Sequence, residues 1–188
     1  MTMNPDDQSL IRRAQSGDRA AFEILYARYQ PAIFNYLYYR IDDPDCAEEL
    51  TSEVFVRMVK NIRSYQDQGR SFLAWLYTIA HHLRVDYYRE NSPMKTLPLE
   101  ETLHADPELH PDEACEQLLK AECLKKVMPY LTEEQQIVIT AKFVEGRSNE
   151  EVANLLGKPE GAIKSLQHRA LAALRRAIEI EGCYEYGV

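Results

Sequence analysis

Apolar positions recur at spacings of three and four along almost the whole chain, and alternating β-branched runs are absent. That pattern predicts helices and no sheet. Asp18 opens a helix through Phe22, Leu25, Tyr26, Tyr29, Ile33, Tyr36 and Leu37. Pro44 stands in the first turn of a second helix, where its missing N–H has no intrahelical partner to lose. This helix runs to about Ile62. Residues 63–70, RSYQDQGR, read as a polar loop ending at Gly69. Ser71 then caps a third long helix through Phe72, Leu76, Ile79, Leu83 and Tyr87, which ends near Asn91.

Residues 92–111 break the pattern with Pro93, Pro98, Pro107 and Pro111 among acids, and read as a tether. Helical periodicity resumes near Asp112. The last residues from Gly182, GCYEYGV, read as a mobile tail. The expected fold class is all-α. Two small helical domains, residues 1–91 and 112–181, are joined by an acidic, Pro-rich linker over 92–111 and followed by a tail over 182–188.

The stretch from Ser148 to Arg176 is the most specific. Ser148 and Glu151 have the spacing of a capping box, and Val152, Ala153, Leu155 and Leu156 supply an apolar side. Gly157-Lys158-Pro159 turns the chain. A further helix starts near Glu160 and gathers Ile163, Leu166, Ala170, Leu171, Leu174 and Ala177 on one side. Lys164, Ser165, His168, Arg169, Ala172, Arg175 and Arg176 gather on the other. Gln167 falls near the middle of the apolar stripe and Leu166 at its edge. This is a helix-turn-helix pattern, with donors presented to a major groove. A helical hairpin with a solvated basic face has the same pattern.

Charge sharpens the picture. The formal net charge is −8, which excludes a protein that coats nucleic acid through bulk charge. From Pro98 to Leu119 there are seven acids (Glu100, Glu101, Asp106, Glu108, Asp112, Glu113, Glu116) and no Lys or Arg. From Glu160 to Arg176 there are four bases and one acid. The cationic face is local, so the isolated chain is expected to bind DNA weakly and with help from a partner.

Two other helix faces carry candidate chemistry. In PDCAEELTSEVFVRMVKNI, Asp45, Glu48, Glu49, Ser52 and Glu53 project from the first half. Acids there suit the helix dipole, and they also suit docking to a basic helical partner. On the Ser71–Asn91 helix, Tyr77, His81, Arg84 and Tyr88 lie opposite the apolar stripe, flanked by Thr78, His82 and Arg89. Rings interleaved with cations fit unpaired bases and phosphates, as well as an ordinary solvated surface. Trp75 borders the stripe and reads as core.

Enzyme and cofactor signatures do not emerge. HExxH, P-loop and GxSxG patterns are missing from the chain. Adjacent His81 and His82 diverge by about 100° on a helix and make a poor metal pair. The four cysteines, Cys46, Cys115, Cys123 and Cys183, form no CxxC pair. Cys115 and Cys123 read as reduced residues on one helix. No catalytic residue, metal or cofactor is expected. No run approaches the roughly 18 apolar residues of a membrane span, and the first residues lack a signal-peptide core. The expected location is cytoplasmic.

Two blocks together carry a resemblance. DCAEELTSEVFVRMVKNI followed by FLAWLYTIAHHLRVDYYR is similar to regions 2.2 to 2.4 of the sigma-70 family. LTEEQQIVITAKFVEGRSNEEVANLLGKPEGAIKSLQHRALAALRR is similar to its regions 4.1 and 4.2. Both in this order around a short linker resemble a bacterial RNA polymerase sigma factor of the extracytoplasmic-function group.

The resemblance implies a promoter-specificity factor that is not itself an enzyme. Its partners would be core RNA polymerase (the β′ clamp helices and the β flap), promoter DNA and an anti-sigma factor. It assigns core-polymerase binding to Asp45, Glu48, Glu49, Glu53 and Phe55. It assigns −10 contacts to the 64–71 loop, including Ser64, Tyr65 and Ser71, and to Tyr77, His82, Arg84 and Tyr88. It assigns −35 contacts to Lys164, Ser165, His168 and Arg169. The linker acids would mimic nucleic-acid charge within the polymerase. The chain departs from the family pattern at His82, where Asn is frequent. It also departs at Ala162, where Thr is frequent, and at Leu166-Gln167 after Lys164-Ser165. The runner-up is a stand-alone helix-turn-helix regulator; a docking protein without DNA contact would not need the basic second helix.

Overall fold

The computed structural model describes residues 5–67, 71–91 and 121–183. Its helices are α1 (Pro5–Gln15), α2 (Arg19–Tyr38), α3 (Pro44–Asn61), α4 (Phe72–Asn91), α5 (Ala121–Val127), α6 (Glu133–Ile139), α7 (Asn149–Leu156) and α8 (Glu160–Glu181). Short 3-10 turns cover Ile62–Ser64 and Met128–Tyr130, and one π-helical turn covers Thr140–Val144. No strand occurs among the described residues. The linker over 92–111, the start of the second block, Gly69, Cys115 and residues 184–188 lie outside the described residues.

The chain forms two compact units. The first contains α1–α4; the second takes α5, α6, α8 and the greater part of α7. In the first, α2 packs on α1, α3 and α4, and α3 also packs on α4. Leu25, Ile33, Tyr36, Leu37, Met58, Ile62, Phe72 and Leu76 fill its core. Burying a side chain of this size is worth about 1.5–3 kcal/mol, so packing outweighs caps of about 1 kcal/mol each.

The caps nevertheless fix where each helix begins. The Asp18 carboxylate accepts the Ala20 N–H at 2.9 Å and the Ala21 N–H at 3.4 Å. The Arg13 guanidinium also donates to it at 2.8 Å, and that bond chiefly holds its carboxyl below the ordinary range. Asp43 caps α3 by accepting the Asp45 N–H at 2.9 Å, with Pro44 in the first turn. Ser71 caps α4 by accepting the Ala74 N–H at 3.2 Å.

Helix α1 was not expected from the periodicity. The apolar residues buried among its described side chains are Leu10, Ile11 and Ala14, and it carries a polar anchor. Buried Asp7 pairs with Arg28 and accepts the Tyr29 hydroxyl at 2.6 Å. Helix α2 also runs unbroken through Pro31. Tyr26, expected on its buried side, is exposed.

In the second unit, α8 packs on α5 and α6. Val127, Met128, Val138, Ile139, Ile163, Ala170 and Leu174 are buried there. Thr132 and Gln135 form a reciprocal capping box at the start of α6. Buried Gln136 donates its side-chain amide to the Met128 carbonyl at 2.7 Å and the Leu131 carbonyl at 3.2 Å. It thereby satisfies the end of the preceding 3-10 turn.

Candidate nucleic-acid and protein interfaces

The helix-turn-helix is built from local bonds. The Ser148 N–H donates to Glu151 Oε2 at 2.7 Å, and the Glu151 N–H donates to Ser148 Oγ at 3.2 Å. The predicted capping box is therefore present. The Ser148 N–H is also the main reason that the Glu151 carboxyl titrates below its ordinary range. Gly157 ends α7 at φ 65°, a conformation that costs other residues roughly 1–2 kcal/mol. The Lys158 N–H reaches back to the Ala153 carbonyl at 3.0 Å. Lys158 Nζ lies 3.0 Å from Glu134 Oε1, which ties the turn to the start of α6. Extended Pro159 then precedes α8.

On α8, Ile163, Leu166, Ala170, Leu171 and Leu174 are buried. Lys164, Ser165 and Arg169 are exposed on the other side, with His168 half-buried beside them. The Ser165 hydroxyl donates to the Gly161 carbonyl at 3.1 Å, which leaves its lone pairs outward. Leu166 is a core residue and Gln167 is half-buried, the reverse of their expected order across the stripe. Helix α8 packs on both α5 and α6, and its buried side takes in Leu166.

The outer side of α3 is amphipathic along its length. Asp45, Glu48, Glu49 and Ser52 are exposed in its first half. Glu53 is half-buried and its Oε1 is 3.0 Å from Arg57 Nε. Phe55, expected on the docking face, is 5% exposed. Its ring meets Tyr26 edge-on at 4.8 Å. Phe55 therefore belongs to the core, and Tyr26 covers it. The second half of α3 instead exposes Val56 at 43% and Val59 at 49%. Val56 and Val59 are not among the docking residues that the resemblance assigns. The signal was available, because both follow the acids on one face at helical spacing.

Helix α4 is more deeply buried than its pattern suggests. Tyr77 was expected outside, but it is 6% exposed and its ring lies 4.8 Å from Tyr36. This corrects its assignment to base stacking. Arg40 is buried, lies over the Tyr36 ring at 3.9 Å and donates to the Tyr36 carbonyl at 2.6 Å. The half-buried Tyr88 donates its hydroxyl to the Arg40 carbonyl at 2.5 Å. Burial is the main cause that pushes the Tyr88 phenol up, with Asp42 adding to it and Arg84 opposing it. The stripe left facing solvent is Thr78, His82, Val85 and Arg89, with Arg84 half-buried.

The loop before α4 is held at both described ends. The Tyr65 ring packs on Phe72 at 5.2 Å and Trp75 at 4.9 Å. Its phenol is pushed up to about 12, mainly by burial and then by Asp67 and Asp7. The Gln15 side-chain amide donates to the Ile62 carbonyl at 3.0 Å and the Tyr65 carbonyl at 2.9 Å. Ser64 is exposed and donates to the Asn61 carbonyl at 2.8 Å. Tyr65 and Trp75 thus meet, with Ser64 bonded to Asn61 before the loop and Ser71 to Ala74 after it, and residues 68–70 lie outside the described residues.

Helix α3 thus presents acids to solvent, and α8 presents cations behind a capped helix-turn-helix. Residues 25–93 match the family described as Sigma-70 region 2, and residues 127–176 match Sigma-70, region 4. The chain belongs to the sigma-70 family of RNA polymerase sigma factors, in its extracytoplasmic-function group. It is a promoter-specificity factor.

It is similar to the sigma factor BldN of Streptomyces coelicolor, at 38% identity over 170 residues. That match covers 90% of this chain and 64% of the relative. It is 30% identical over 194 residues to the sigma factor SigD of Mycobacterium tuberculosis, covering 98% and 90%. The fold is similar to that of CnrH, solved in complex with the cytosolic domain of CnrY. That likeness has a TM-score of 0.63 at 22% identity and covers 93% of this chain and 98% of the other. No described helix is long and apolar enough to cross a membrane.

Proposed function

We propose that the two units divide promoter recognition between them, with α8 reading the −35 element. Lys164, Ser165 and Arg169 form the reading face, with His168 at its margin. The observation that carries this is the opposition on α8 between exposed Lys164 and Arg169 and buried Ile163, Leu166 and Ala170. The buried side fixes the helix, and the exposed cations are free to meet a groove.

The first unit docks on core polymerase through Asp45, Glu48 and Glu49, with Glu53 at the edge. Val56 and Val59 extend that face with apolar area. The basic side of the partner would be the β′ clamp helices, and the second unit would meet the β flap. The Ser64–Ser71 loop, His82 and Arg84 face the melted −10 strand, and Tyr88 supplies a half-buried ring beside them. Tyr77, buried against Tyr36, is not part of that surface. The chain has no catalytic step of its own and acts in the cytoplasm, where an anti-sigma factor would hold the same faces.

The net charge of −8 supports a factor that depends on core polymerase, because the chain is acidic overall and the cationic face of α8 is short. Duplex binding with and without core polymerase tests this. Tight, specific binding should require core. Equally tight binding by the free chain would favour a stand-alone regulator. Replacing Asp45, Glu48 and Glu49 with Lys should abolish co-elution with core polymerase while helicity is retained.

A further inference from the structure

Two sulfurs meet at the end of α8 that is remote from the DNA-reading face. Cys123 is buried on α5, beside buried Leu124 and Val127. Gly182 ends α8 in the left-handed conformation at φ 63°, with its N–H on the Ile178 carbonyl. The chain reverses there, and the next residue, half-exposed Cys183, comes close enough to Cys123 on the packed α5 to act on its thiol. A second contact pins the same corner, because the Tyr130 hydroxyl donates to Glu181 Oε1 at 2.6 Å. Both cysteines are reduced thiols. They lie 60 positions apart in the chain, so helical periodicity could not pair them.

We propose that Cys123 and Cys183 form a reversible disulfide on exposure to a peroxide, locking the C-terminal end of α8 onto α5. Cys183 is the more exposed sulfur and meets the oxidant first. Its sulfur attacks one peroxide oxygen, the O–O bond breaks, and a sulfenic acid and water form. The Cys123 sulfur then attacks the sulfenic sulfur. The S–O bond breaks, and the departing hydroxide takes the Cys123 proton as water. Two thiols are oxidised, and one peroxide is reduced to two waters.

Burial and the neighbouring Cys183 push the Cys123 thiol up to about 12. Cys123 is therefore the protonated thiol of the pair. Lys164 lies 17 positions before Glu181, roughly 25 Å along the helix. The bond would thus stiffen the second unit without covering the groove-facing residues. In reducing compartments such bonds are usually transient and redox-sensing.

The full chain with Cys46→Ala and Cys115→Ala, treated with hydrogen peroxide, tests this. Non-reducing peptide mapping should show Cys123 joined to Cys183 with the loss of two hydrogens, and a thiol reductant should reverse it. The second unit's Tm should rise by on the order of 10 °C on oxidation. Cys183→Ala, which leaves the buried Cys123 in place, should remove both effects. Overoxidation of Cys183 with no link to Cys123, or a link with no change in Tm, would overturn the proposal. In the chain with all four cysteines, preferential pairing of Cys123 with Cys115 would overturn it too.

Discussion

The Tyr77 ring centroid lies 4.8 Å from that of Tyr36, inside the first unit. Tyr36 in turn carries the Arg40 guanidinium on its face, and Tyr88 bonds the Arg40 carbonyl. Two tyrosines that the pattern presents to DNA are thus wholly or partly structural. Their substitutions have to be read as stability effects before they are read as contacts.

Tyr77→Ala should destabilise the first unit by about 3–5 kcal/mol, the range for removing a buried ring. Loss of an exposed stacking contact would instead reach about 1–3 kcal/mol and only on bound DNA. Tyr77→Phe keeps the ring and should retain most of the stability. Urea unfolding of the free chain distinguishes these outcomes. An unchanged midpoint for Tyr77→Ala would return the residue to the surface.

The Tyr65 phenol is raised to about 12 in the folded chain, against about 10 for an exposed tyrosine. The folded state binds that proton more tightly. Its contribution to stability is complete below about pH 10 and is lost as pH rises towards 12. Tyr65→Phe should therefore flatten the alkaline fall in urea midpoint over that window. Parallel curves for the two chains would contradict this placement of the ring.

Ser148→Ala should destabilise the second unit by about 1 kcal/mol through loss of its cap. Gly157→Ala should cost roughly 1–2 kcal/mol because φ is 65° there. Hydrogen exchange resolves the two units. Protection in α7 and α8 should fall in both variants, while α2–α4 stay unchanged. Equal losses in the first unit would show that the turn is not a local device.

The helix starts were legible because caps are local chemistry: Asp18, Pro44, Ser71 and Ser148 with Glu151 act within three residues. The cationic face of α8 was legible for the same reason, since period and charge coincide there. Tyr77 and Phe55 were not. Helix α4 packs on both α2 and α3, so its buried arc is wider than one stripe, and Phe55 is covered by Tyr26 from another helix. Helix α1 has few apolar positions, and its anchor from Asp7 to Arg28 and Tyr29 spans more than twenty residues. The meeting of Cys123 and Cys183 depends on how α5 and α8 pack. None of these long-range partners is written in a periodicity.

Arg169→Ala should cost about 1–3 kcal/mol with holoenzyme on duplex promoter and relax preference at one base pair, if its guanidinium reads a base edge. Lys164→Ala should weaken all sequences alike and lower the salt slope by about one unit, as loss of a phosphate contact does. Competition binding with single-base variants at two salt concentrations separates the two roles. Neither substitution should matter if the face is merely solvated.

Transcription from a genomic-fragment library, with core polymerase plus and minus this chain, tests the central claim most directly. Sequencing of transcript 5′ ends should reveal start sites that appear only when the chain is present. Those sites should lie downstream of one shared pair of −35 and −10 sequences. Start sites identical with and without the chain would contradict its action as a sigma factor.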